Sequence, residues 1–203
     1  MRIVALLLVS WSLAVLLSAE AAGQAACGSV VVASGADLVS ALSCTSFERL
    51  EVRLEHSLDL NSTLNATVAE FAVTTVTGDV VLGGRGAADL FFPNLTSVGG
   101  AVSVVACSEL IALRLPSLVS IGSYLLLDAN DDLVVIELPA LASVSDFVGV
   151  VDNAALAGLA IPTLVSSGAF VDVSSNDALL TLDFPGLRTI NGALTVSRTT
   201  TFD

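Results

Sequence analysis

The side chains able to do acid–base chemistry in this chain are scattered carboxylates: Glu109, Asp128, Asp131, Asp132, Asp146, Asp152, Asp172, Asp177 and Asp183. Cleaving a glycosidic bond needs two of them converging on one point, one as acid and one as base or nucleophile. Only Glu109 and Asp132 share a position in successive repeats, and no basic residue stands near them in sequence. With Asp131 they also form a set of oxygen donors for a weak Ca²⁺ site, a reading that nothing else in the loop supports. The single histidine, His56, defines no Ser-His-Asp set and, without a Cys-x-x-Cys pair, no zinc site. Gly83-Gly84-Arg85-Gly86 is rich enough in glycine to cradle phosphate, but no Gly-Lys-Ser/Thr or complete Gly-x-Gly-x-x-Gly accompanies it. The chain is therefore expected to carry no catalytic set, no metal and no cofactor. A polysaccharide-active enzyme is the remotest reading.

Binding chemistry is better represented. Tyr124, Phe147 and Phe170 recur at one fixed interval, with Leu126 beside them. Their neighbours in sequence read as inward-facing, so these side chains are expected outside, as an aromatic stripe on a sheet surface. A contiguous apolar patch on a protein surface marks an interaction site, and aromatic rows suit sugar rings or protein hot spots. The competing reading is a ladder that only stabilises the sheet, since aromatic cross-strand pairs contribute about 0.2–1 kcal/mol each.

What positions the stripe is a repeat. Pro93, Pro116, Pro139, Pro162 and Pro185 return with the same 23-residue interval, in FPNLTSV, LPSLVSI, LPALASV, IPTLVSS and FPGLRTI. Such a period spells a solenoid, each coil hiding its apolar face against its neighbours. Nine and eleven residues past each proline stand Val102/Val104, Leu125/Leu127, Val148/Val150, Val171/Val173 and Leu194/Val196, a first strand with those side chains inward. Leu113/Leu115, Ile136/Leu138, Leu159/Ile161 and Leu182/Phe184 mark a second strand. Leu95/Val98, Leu118/Ile121, Leu141/Val144, Leu164/Ser167 and Leu187/Ile190 mark a third side. The coils thus spell an all-β fold, a triangular parallel β-helix. Asn130, Asn153 and Asn176 occupy the corner after the first strand, where their amides are expected to satisfy turn backbone and to bond from coil to coil. Cys107 holds the same column, which favours a small buried residue over a reactive thiol. Arg114 and Glu137 share an outward column and read as a surface ion pair.

Before the regular coils the period blurs. Val73, Val76, Val80 and Leu82 spell one degenerate coil, and Leu50 to Leu60 alternates like a half-buried strand. Ser29 to Ala33 reads as a strand, and Asp37 to Leu42 as a short helix able to cap the first coil. Arg2, the apolar run Ile3 to Leu17 and Ala19-Glu20-Ala21 have the parts of a cleaved signal peptide. The run is short for a bilayer span of about 20 residues. The expected division is a signal peptide over 1–21, an N-terminal cap and first strand over 22–60, and the solenoid over 61–203. Secretion would let Cys27 and Cys44 pair, and it gives weight to three N-glycosylation sequons, at Asn61, Asn65 and Asn94. Seven basic against 20 acidic residues leave a formal charge of −13, which argues against nucleic acid and anionic membrane as partners. No further apolar stretch of membrane length follows, so the mature chain is expected not to span a membrane.

The phrases FPNLTSVGG, LPSLVSIGSYLLLDANDDL and VDVSSNDALLTLDFPGLRTINGALTV resemble the receptor L domain, the leucine-rich right-handed β-helix of insulin- and EGF-receptor ectodomains. They are closer still to its repeats in fungal GPI-anchored cell-wall proteins, which begin with a cysteine, a strand and a short helix ending at a second cysteine, as Cys27 to Cys44 does. The resemblance covers about Cys27 to Asp203. It implies a secreted or cell-surface protein whose partner is an extracellular protein or glycan, acting in recognition or adhesion, or as a structural wall or matrix spacer. The chain shows no Ser/Thr-rich stalk and no hydrophobic tail for GPI attachment, and its last coil stops short of the next proline, so a shortened version of a longer product is expected.

Overall fold

The computed structural model describes residues 25–32, 44–54, 69–70, 73–84 and 89–197, with side chains at Glu48 and from residue 73 onward. Those residues form a parallel β-solenoid of about five turns. The leader, the helix expected over Asp37 to Leu42, and the sequons at Asn61 and Asn65 lie outside them. So do the side chains of Cys27 and Cys44.

The prolines set the coil. After Pro116, Pro139, Pro162 and Pro185 the N–H of the leucine two residues on bonds to the carbonyl of the residue before the proline: Leu118 to Leu115 at 3.2 Å, Leu141 to Leu138 at 3.3 Å, Leu164 to Ile161 at 3.3 Å and Leu187 to Phe184 at 3.1 Å. This is a β-turn with proline at its second position, where the ring's fixed φ matches the turn. The signature is Pro-x-Leu because the leucine closes the turn and then points inward; Leu118, Leu141 and Leu164 are fully buried.

Three strands follow one another round each coil. The first side carries Val102–Val105, Leu125–Asp128, Val148–Val151, Val171–Ser174 and Leu194–Ser197. They pair in parallel, with Leu125 opposite Val102 and Val148 and Val171 opposite Val148 and Leu194. Every side chain therefore stacks on its counterpart one period away. The second side holds Ala112–Arg114, Val135–Glu137, Gly158–Ala160 and Thr181–Asp183, and the third two-residue strands such as Ser120–Ile121 and Ser143–Val144. Most of the expected inward positions of the first four coils form one continuous core, with Ile136, Leu182 and Phe184 partly buried against it and Ser167 a buried polar exception. In the last described coil Leu194 and Val196 sit on inward columns but are exposed, because no described coil covers them.

The first and third sides join into one fourteen-stranded sheet through β2 (Cys44–Leu54), which also pairs with β1 (Ala25–Val32). Its Ser46 and Phe47 lie opposite Thr75 and Val76 of the third side, and Leu50 to Leu54 lie opposite Val80 to Gly84 of the first. This strand differs from the one expected over Leu50 to Leu60: it starts at Cys44, because it runs across two sides. The strand β1 likewise starts before Ser29. Its register sets Ala25 opposite Cys44 and Cys27 opposite Phe47.

The blurred coil is real, and its Val73, Val76, Val80 and Leu82 are buried. Thr75 pairs with Ser97, Val80 with Val102 and Gly83 with Val105, whereas Asp89 pairs with Ala112. Only the last of these pairs keeps the full period. The chain from Gly83 to Asp89 is thus one residue shorter than that from Val105 to Ala112, which displaces the repeat. On the second side Arg114 bridges three coils, bonding Asp89 through Nη1 and Glu137 through Nε at 3.2 Å. The Glu137 arm is exposed and contributes little, whereas the Asp89 arm is part-buried.

Candidate interaction face

The aromatic residues stand immediately before the first-side strands, and their backbones are held rung by rung. The Tyr124 carbonyl accepts from Val102 N–H at 2.9 Å, the Phe147 carbonyl from Leu125 N–H at 3.0 Å, and the Phe170 carbonyl from Val148 N–H at 3.0 Å. The rings inherit this spacing. Tyr124 and Phe147 have centroids 4.8 Å apart with planes 4° from parallel, and Phe147 and Phe170 4.7 Å apart at 5°. These centroid separations fall in the range of favourable stacked pairs.

Stacking also decides what is exposed. Sequence reasoning placed all three rings outside, and they are outside, but they cover one another. Tyr124 and Phe147 are half-buried; only Phe170 is exposed. Ala101 occupies the outward column one coil before Tyr124 and is nevertheless buried, its N–H bonded to Asp79 Oδ1 at 2.9 Å. Ala193, one coil after Phe170, is exposed.

Beside the rings runs the column Ser103, Leu126, Gly149, Asp172 and Thr195, set by the strand register. A methyl group on Gly149 would lie 3.1 Å from Leu126 Cδ1 and 3.5 Å from Phe147 Cε2. Leu126 and Phe147 therefore close over the bare backbone of Gly149. Asp172, the next residue of the column, has Oδ1 buried with no hydrogen-bond partner. Nothing in the sequence pattern marked this oxygen, because its isolation depends on what the neighbouring rungs carry.

The asparagine ladder lies at the far end of the first side and is fully buried. Oδ1 of Asn130 accepts from Cys107 N–H at 3.0 Å, Oδ1 of Asn153 from Asn130 N–H at 3.3 Å, and Oδ1 of Asn176 from Asn153 N–H at 3.0 Å. Their Nδ2 groups donate to Val104, Leu127 and Val150 carbonyls at 3.0, 3.0 and 2.8 Å. Each amide thus ties its own coil to the preceding one. The residue before each column member takes the left-handed conformation: Ala106, Ala129, Asp152 and Ser175 have φ of 54°, 54°, 51° and 55°. Cys107 heads the ladder, buried, and burial pushes its thiol up from an ordinary 9.0 to about 11.

Elsewhere the surface offers little chemistry. A shallow groove of about 530 Å³ runs along the third side, floored by Thr75, Ser97, Ser120, Gly99 and Gly122. An acidic corner of about 180 Å³ is lined by Asp131, Asp152, Ala154, Ser175 and Asp177. Among the described residues no group of three or more His, Cys, Asp or Glu side chains is placed to hold a metal ion, and no helix is long and apolar enough to cross a membrane. Asn94 lies exposed in the turn after Pro93. No family model, curated protein or solved structure matches the chain.

Proposed function

We propose that this protein is a non-catalytic recognition or adhesion module of receptor L-domain type, secreted or displayed at the cell surface. The observation that carries this reading is the aromatic stack Tyr124–Phe147–Phe170 with Leu126 on the outer face of the first side. Rings held on rigid, hydrogen-bonded rungs lose little freedom when a partner docks. The leader-like N-terminus and the sequons support an extracellular setting, in which Cys27 and Cys44 pair and Asn61, Asn65 and Asn94 carry glycans. A right-handed coil follows from the same resemblance.

The second reading is a rigid spacer in a wall or matrix. It is favoured by the asparagine ladder, whose amides stiffen the coil-to-coil junctions and need no ligand to explain them. Binding of the purified protein to a panel of wall glycans and surface-protein extracts separates the two. A Phe147→Asp/Phe170→Asp variant, with folding checked by circular dichroism, runs beside it. Saturable binding lost in the folded variant supports recognition through this face. Equal binding moves the site elsewhere, and no binding by either protein leaves the spacer.

A further inference from the structure

The aromatic stack stops one rung short. Phe147 is covered on both faces by its neighbours, but Phe170 is covered on one only. On its other side the next rung carries Ala193, whose carbonyl accepts Val171 N–H at 2.9 Å. A methyl group stands where a fourth ring would be. Ala193 is exposed and Phe170 is 41 % exposed. The resulting notch leaves the face of Phe170 open above the Ala193 methyl, with no described rung beyond it, so one flat group can stack on the ring at the sheet spacing of about 4.8 Å.

The notch is anionic. Asp172 lies two residues past Phe170 on the same outward face, with its Oδ1 buried and unpartnered. The register sets it between Gly149 and Thr195, neither of which brings a positive charge. The chain has seven arginines and no lysine. The two whose side chains are described, Arg114 and Arg188, belong to the second and third sides. A buried carboxylate oxygen without a donor costs free energy that a bound donor recovers. A bare ring face attracts a cation. A guanidinium meets both demands, because it is planar, stacks on rings and directs N–H groups edge-on to a carboxylate. A lysine ammonium has no flat face to stack on the ring, and a neutral sugar leaves the charge unused.

Resting on the recognition reading above, we propose that the notch formed by Phe170, Asp172 and Ala193 receives an arginine side chain of an extracellular partner protein. The test titrates the full chain with tetra-arginine, tetra-lysine, tetra-citrulline (planar but neutral) and chitohexaose by calorimetry. Wild type is compared with Asp172→Asn, Phe170→Ala and Ala193→Phe, each checked for folding by circular dichroism. Tetra-arginine is expected to bind roughly tenfold tighter than the lysine and citrulline peptides, and each variant to weaken it roughly tenfold. Ala193→Phe is the sharpest variant: it keeps Asp172, covers the bare face of Phe170 and moves the open ring face one rung away from the carboxylate. Asp172→Asn, being isosteric, carries the test if either ring variant fails to fold. Equal affinity for the arginine and lysine peptides, or undiminished affinity in folded Ala193→Phe or Asp172→Asn, overturns the inference. Phe170-dependent binding of chitohexaose without tetra-arginine binding overturns it in favour of a glycan. Extract binding that needs Phe147 and Phe170 while tetra-arginine fails to bind overturns the arginine assignment and leaves the recognition face standing. Loss of both removes the two together.

Discussion

Replacing Asn153 with alanine is the most direct test of what holds the coils together. Asn153 Oδ1 is the acceptor for Asn130 N–H at 3.3 Å and for Asn130 Nδ2 at 3.0 Å. Its Nδ2 shares two hydrogens among the carbonyls of Leu127 and Val151 and Oδ1 of Asn176. After truncation Asn130 Nδ2 keeps the Val104 carbonyl, and Asn176 Oδ1 keeps the N–H of residue 153. The buried Asn130 N–H loses its acceptor. That orphan costs about 1–3 kcal/mol, and the void left by the amide adds roughly 1 kcal/mol. The expected loss is about 3 kcal/mol, or about 1.5 M in urea midpoint at a slope near 2 kcal/mol/M. Asp131→Ala, a change at an exposed position of the preceding coil, is the control and stays within about 0.5 kcal/mol. Hydrogen exchange supplies a second readout: protection falls at the Asn130 amide and persists at the amide of residue 153, which still donates to Asn176. A loss below about 1 kcal/mol, or equal deprotection at both amides, would refute a ladder that acts directionally on the preceding coil.

Glycine contacts give a paired comparison. A methyl group at position 122 falls on the carbonyl oxygen of Gly99, which is backbone, whereas at position 149 it meets the flexible Leu126 Cδ1 at 3.1 Å. Thermal unfolding should show Gly122→Ala destabilised by at least about 2 kcal/mol and Gly149→Ala by less than about 1 kcal/mol. Ala129→Gly relieves a left-handed alanine (φ 54°) and should stabilise by about 0.5–1 kcal/mol in urea titration, while Ala129→Val destabilises. Cys107 keeps its proton to about 11 when folded, against 9.0 ordinarily, so the unfolded chain loses that proton first as pH rises. Its contribution to stability is therefore full below pH 9.0 and declines toward about 11, at up to about 1.4 kcal/mol per pH unit. Cys107→Ala should lack that part of the slope.

The features legible in the sequence are those the repeat copies. The inward positions need no structure to be read: Leu125, Val148 and Val171 point inward because their neighbours one period away do. The asparagine column and the aromatic stack were visible on the same ground, since a parallel in-register sheet turns a constant spacing along the chain into contact between coils. What escaped is whatever depends on unlike neighbours. The left-handed corner is invisible because alanine, aspartate and serine occupy it, not glycine. The start of β2 at Cys44 is hidden because one strand serves two sides there. The bare face of Phe170 and the unpaired oxygen of Asp172 arise from Ala193 and Gly149, small residues that carry no signal of their own.

In-register stacking also governs how this chain can be so acidic. Two carboxylates in the same column of adjoining rungs stand about 4.8 Å apart, where their repulsion is about 1 kcal/mol in bulk water and about 3.5 kcal/mol at an effective dielectric of 20. Outside Glu109 and Asp132, the described carboxylates avoid that arrangement. Asp131 and Asp177 share a column but are separated by Ala154, and the rungs flanking Asp172 carry Gly149 and Thr195. Where Glu137 follows directly on Arg114, the signs alternate. Negative charge is thus rationed by occupancy of alternate sites, as on a lattice with nearest-neighbour repulsion. Substituting Ala154 with aspartate would put three like charges in consecutive rungs, making an otherwise conservative exposed position sensitive to ionic strength.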